Sequence, residues 1–87
     1  MVVAGRPLKL TATEFDLLSV LSHNAGRVMT YESLLRQVWR GRETSDPEIV
    51  RAFVRKLRRK LGDDATHPTY IFTERGVGYR MAQPSEE

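Results

Sequence analysis

The chain has 87 residues, 40% of them hydrophobic, and carries 14 Lys and Arg against 11 Asp and Glu, for a net charge of +3. This suits one small domain with one core, and no segment approaches the ~20 apolar residues that span a bilayer, so no membrane partner is expected. With no cysteine, a disulfide framework, a thiolate nucleophile and a Cys-ligated zinc are excluded, in keeping with a reducing, cytoplasmic setting.

Val2 and Val3, then Ala4 to Pro7, then Leu8, Lys9 and Leu10, have the form of two short strand pieces around a turn. Thr11 and Glu14 are spaced as a capping box, each side chain accepting from the other's amide. The helix they open carries Phe15, Leu17, Leu18, Val20 and Leu21 and ends near Asn24 to Gly26. Arg27, Val28 and Met29 make a strand fragment. Thr30 then caps a second helix in which Tyr31, Leu34, Leu35, Val38 and Trp39 share a face, until Gly41 breaks it. The segment Arg40 to Ser45, RGRETS, is a polar loop.

A third helix is predicted over Asp46 to Leu61. Asp46 is its N-cap, Pro47 its first helical residue and Gly62 its stop. Val50, Val54, Leu57 and Leu61 recur at the i, i+4, i+7, i+11 spacing of a buried face. Six of the 14 cationic residues fall between Arg51 and Lys60, while the acids Asp46 and Glu48 sit at the N-terminal end that favours them. Such a concentration on a discrete helix suits a polyanion. Beyond Gly62 the run DDATHP cannot continue a helix, because Pro68 biases His67 away from helical backbone. Tyr70 to Thr73 and Tyr79 to Met81 then flank Glu74 to Gly78 as a hairpin, Gly76 and Gly78 serving as turn residues. A helix, a loop, a basic helix and a hairpin are the parts of a winged helix-turn-helix.

The segments LTATEF, GRV, YESLLRQVW, VRKLRRKLGDD and TERGVGYRM resemble the C-terminal effector domain of OmpR/PhoB-type response regulators, the winged-helix transcription factors of bacterial two-component systems. The resemblance runs from about Val2 to Met81. It implies an α+β fold of three helices with short N-terminal strands and a C-terminal hairpin wing, filling residues 1–87 as a single domain. The family sets a four-stranded sheet ahead of the first helix; with ten residues before Thr11, that sheet is expected to be shortened, and the family's phospho-acceptor receiver domain is absent from this chain.

The expected activity is sequence-specific binding of double-stranded DNA, helix 46–61 in the major groove and the hairpin around Arg75 in the adjacent minor groove. On a helical wheel Glu48, Ala52, Arg55, Lys56 and Arg59 lie opposite the apolar stripe, with Arg51 and Arg58 on one flank and Lys60 on the other. Small Ala52 lets the helix approach base edges, and the flanking arginines suit phosphates. Phe53 has two readings, core packing or contact with thymine methyls. So does Trp39, as the edge of the core or, as the family implies, an indole N–H donated to a phosphate. The resemblance further implies that Arg75 enters a narrow minor groove, that Thr73 bonds the DNA backbone and that loop 40–45 touches RNA polymerase. A full-length protein would add a receiver domain and a sensor kinase as partners.

The alternative from another class is an interaction module whose basic helix binds an acidic protein; RNA binding lacks a platform of exposed aromatics. Nothing points to an enzyme or to a cofactor. His23 and His67 are 44 residues apart, no HExxH, P-loop or GxGxxG is present, and Asp63-Asp64 sits where a turn is expected.

Overall fold

In a computed structural model, which describes residues 2–3, 6–7, 9–40 and 46–83, the elements in chain order are β1 (Val2–Val3), β2 (Arg6–Pro7), α1 (Ala12–His23), β3 (Val28–Thr30), α2 (Tyr31–Val38), α3 (Pro47–Leu61), β4 (Ile71–Glu74) and β5 (Gly78–Met81). The expected turn at Ala4 and Gly5, the helix stop at Gly41, most of the loop 40–45 and the tail beyond 83 lie outside the described residues. The three helices and the antiparallel sheet β3-β5-β4 make the α+β winged helix that the sequence predicts.

The helix starts follow the predicted capping chemistry. Thr11 Oγ1 accepts from the Glu14 amide at 3.2 Å and Glu14 Oε1 from the Thr11 amide at 2.8 Å, closing the capping box of α1. Thr30 Oγ1 accepts from the Ser33 amide at 3.0 Å, and Asp46 Oδ1 from the Glu48 amide at 3.0 Å. Gly62 ends α3 in the left-handed region, with φ of 71°, where a side chain would be strained. Its successor's amide, Asp63 N–H, returns to the Arg58 carbonyl at 2.8 Å.

The core is the meeting of the three helices with the inner face of the sheet. Leu17, Leu18 and Leu21 of α1, Leu34 and Val38 of α2, and Val50, Val54, Leu57 and Leu61 of α3 are buried together with Ile71, Tyr79 and Met81. Each such aliphatic side chain contributes about 1.5–3 kcal/mol. The apolar stripe read from α3 is therefore the one that is buried. Phe15 is not part of this packing: it lies on the outer side of α1 and is 48% exposed.

Two expectations about strands change. The second N-terminal strand includes Arg6–Pro7, which the expected turn takes in, with Val3 opposite Arg6 and Val2 opposite Pro7; Lys9 and Leu10 are not strand residues, and Leu8 lies outside the described residues. The fragment after α1 is a full partner in the wing sheet, since Val28, Met29 and Thr30 pair with Arg80, Tyr79 and Gly78. Gly78 is consequently a strand residue and not a turn residue. A Cβ there would lie 1.9 Å from the Met29 carbonyl oxygen, so only glycine lets β3 approach. The turn is made by Gly76, whose φ is 76°, with the Val77 amide donating to the Glu74 carbonyl at 2.9 Å.

Candidate nucleic-acid interface

Asp46 and Pro47 start α3 and its apolar stripe fixes its rotation against α1 and α2, so the positions of its six cations follow from the fold. They divide into three kinds. Arg55 and Arg59 are exposed and have no protein partner among the described residues. Arg51 and Lys56 are exposed but oriented. Arg58 and Lys60 are occupied by the fold itself.

Arg51 is ion-paired with Glu48 one turn earlier and lies over the Tyr31 ring, 5.1 Å from its centroid. The hydrogen-bonding Tyr31 hydroxyl, and then the Glu48 carboxylate, push the guanidinium pKa further up, so Arg51 keeps its charge. Lys56 Nζ lies 5.0 Å from the centre of the Phe53 ring. Phe53 itself is half-buried, edge-on to Trp39 with ring centroids 5.3 Å apart, which is the core-packing alternative. Ala52 is half-buried among the cations.

Four side chains of the expected site or its flanks have partners or burial within the fold. Trp39 is 2% exposed and packs edge-on against Phe53, and its Nε1 is buried without a hydrogen-bond partner among the described residues, so its ring belongs to the core. Arg58 is not a free flank arginine. Its Nη2 donates to the Ile71 carbonyl and to Thr73 Oγ1, both at 2.8 Å, and the guanidinium sits 5.7 Å from the Tyr79 ring centroid. Thr73 is exposed as expected, but its hydroxyl oxygen already accepts from Arg58. Lys60, at the other flank, donates to Glu14 Oε1 at 2.6 Å and to the Lys9 carbonyl at 3.0 Å.

Arg51, Arg55, Arg58 and Arg59 converge on an open groove of about 440 Å³ between α3 and the root of the wing, with Tyr79 at its edge. Tyr31 and Tyr79 meet edge to face at 5.7 Å. Burial, then the neighbouring Tyr31 hydroxyl, push the Tyr79 phenol pKa up, so it stays neutral beside the arginines. The Arg51–Tyr31–Tyr79–Arg58 chain is not among the sequence expectations; its only signal there is a tyrosine at the start of α2 and another in β5. Beyond the groove the wing carries Arg75 at an exposed tip, with no partner among the described residues. The tip is anchored by the Tyr31 amide, which donates to the Val77 carbonyl at 3.2 Å.

Asp63, expected as a turn residue, does organise the segment between α3 and β4. Its carboxylate accepts from the amides of Thr69 at 2.7 Å, Tyr70 at 3.3 Å and Ile71 at 2.9 Å. Among the described residues no group of His, Asp and Glu is placed to hold a metal ion, and no helix is long and apolar enough to cross a membrane.

Residues 5–81 match the protein family described as transcriptional regulatory protein, C terminal. Among solved structures the chain is similar to the RstA DNA-binding domain of Klebsiella pneumoniae in complex with the RstA box, at 32% identity over 93% of this chain and 80% of that one, with a TM-score of 0.84. It is similar to the CpxR DNA-binding domain of E. coli, at 35% identity over 94% and 80%, TM-score 0.77. It also resembles the response regulator DrrB of Thermotoga maritima, an OmpR/PhoB homolog, at 34% identity over 93% of this chain but 36% of that longer one, TM-score 0.81. Helix order, wing and cationic third helix agree with this kinship, and the chain belongs to the OmpR/PhoB-type family of transcriptional regulatory C-terminal domains, winged helix-turn-helix DNA-binding modules and not an enzyme family.

Proposed function

We propose that this domain binds double-stranded DNA sequence-specifically, as the output module of a two-component transcriptional regulator. Helix α3 lies in the major groove and the hairpin around Arg75 over the neighbouring minor groove. The observation that carries this reading is the exposed cationic side of α3, Arg51, Arg55, Lys56 and Arg59, joined directly to the wing root. Arg55, Lys56 and the small Ala52 face the base edges, where Arg and Lys read guanine O6 and N7. Arg51 and Arg59 neutralise phosphates, and the Thr73 hydroxyl, whose hydrogen remains available, donates to the backbone. Support comes from the likeness to the RstA domain, which was solved with its DNA box.

The same reading places loop 40–45 against RNA polymerase, treats residues 1–87 as one domain, and makes a receiver domain and sensor kinase its upstream partners, all in the cytoplasm. Selection of bound sites from a random duplex pool tests it. A defined motif should emerge, bound about 10³-fold or more above bulk DNA. Arg55→Ala and Lys56→Ala should relax the motif at single positions. Equal binding to random duplex and to an acidic polypeptide would instead favour an acidic-protein partner.

A further inference from the structure

Arg58 holds the wing from the helix side. In the sheet order β3-β5-β4, strand β4 is an edge strand, paired on one side only, with β5. Its free edge is tied to α3 and to the segment that follows it: the Ile71 amide donates to Asp63 Oδ2 at 2.9 Å, and further along the strand Arg58 Nη2 donates to Ile71 O and Thr73 Oγ1. Ile71 and Thr73 are two residues apart and so face the same side of β4. Two bonds from one nitrogen to these positions fix both the height and the tilt of the strand against α3. Ile71 is fully buried and Thr73 exposed, so the attachment lies where the wing leaves the core, two residues before Arg75.

The same geometry limits what Arg58 can give to DNA. A guanidinium has five N–H donors. Both hydrogens of Nη2 are directed at the protein, and Nε is buried without a partner among the described residues. Only Nη1 is left. A bidentate phosphate contact needs donors on two neighbouring nitrogens, which here would require breaking a bond to β4.

We infer that Arg58 is a positioning residue, coupling the recognition helix to the wing so that Arg75 meets the minor groove in register, and is not itself a phosphate contact. This rests on the docking proposed above. The test is a double-mutant cycle of Arg58→Ala and Arg75→Ala on the selected duplex, with A·T or with G·C flanks, over a salt series. Arg58→Ala should lose about three- to tenfold on A·T flanks and less on G·C flanks. It should leave the slope of log K against log salt nearly unchanged, and should make a following Arg75→Ala cost at least about threefold less than it does alone. A slope shallower by about 0.9, with additive losses equal on both flanks, would mean an ordinary phosphate contact and overturn the inference.

Thr73→Val removes one acceptor of the attachment while keeping every charge, so it tests the same coupling even if Arg58→Ala unfolds. Because it also removes the hydroxyl proposed above to donate to the DNA backbone, it should lose some affinity on both flanks and, in addition, lose flank discrimination as Arg58→Ala does; a loss equal on both flanks, with discrimination intact, would count against the inference. Parent protein that selects no duplex would refute the docking itself, a result distinct from either variant outcome.

Discussion

Replacing Gly78 by alanine should unfold more of this domain than any other single methyl addition in the wing. The new Cβ would stand 1.9 Å from the Met29 carbonyl oxygen and 2.8 Å from both the Met29 carbonyl carbon and Thr30 Cα. These are backbone atoms of β3, so no side-chain rotation relieves the contact, and β3 must move off β5. Overpacking costs about 1–3 kcal/mol, and each lost ladder hydrogen bond about 1 kcal/mol more, giving roughly 3–5 kcal/mol in all. Against a total stability of about 4–13 kcal/mol for a domain of this size, the melting temperature should fall by ~15 °C or more. Gly76→Ala is the control: its φ is 76° and a Cβ there would meet nothing within 4 Å, so only the left-handed backbone is penalised, by about 1–2 kcal/mol. Thermal melts followed by circular dichroism compare the two. If Gly78→Ala melts as high as Gly76→Ala, β3 does not pack on β5 in this register.

Burial alone would raise the Glu14 pKa, but the hydrogen bonds from Lys60 and from Thr11 outweigh it and hold the group below 4.5. Because the folded value is the lower one, this tie contributes fully above about pH 4.5 and is lost as pH falls through the folded value. Urea midpoints measured down to about pH 3 should therefore drop more steeply for the parent than for Glu14→Gln, and parallel curves would contradict the assignment. Arg75→Ala should leave the melting temperature unchanged and cost about 1–3 kcal/mol of binding on A·T-flanked sites, less on G·C-flanked ones. Equal losses on both flanks would make Arg75 a phosphate contact only.

What the sequence discloses, and what it withholds, follows from the range of the interactions. The capping box at Thr11 and Glu14, the Asp46–Pro47 start and the Gly62 stop of α3 are local, and each stands where its spacing places it. The buried stripe Val50, Val54, Leu57, Leu61 is likewise a property of one helix. A helical wheel gives the direction of a side chain but not what the rest of the chain brings to meet it. Arg58 faces a strand 13 residues on, and Lys60 a helix start 46 residues back, so both look free in sequence and are bonded in the fold. In sequence Trp39 is balanced between core and interface, and its edge-on contact with Phe53, 14 residues on, is not visible there. Gly78 resembles a turn glycine until β3, nearly 50 residues earlier, is seen to lie against it.

The central claim is that the exposed cations of α3, with the wing, lie on duplex DNA, where their charge displaces counterions from the phosphates. Removing Arg58 and Lys60 from the count leaves Arg51, Arg55, Lys56, Arg59 and Arg75. The most direct measurement is the affinity for the selected duplex across a salt series. With three to five phosphates neutralised, log K against log salt should be linear with a slope of about −3 to −4.5. A slope near zero would contradict the docking, since a face that releases no counterions is not lying on DNA.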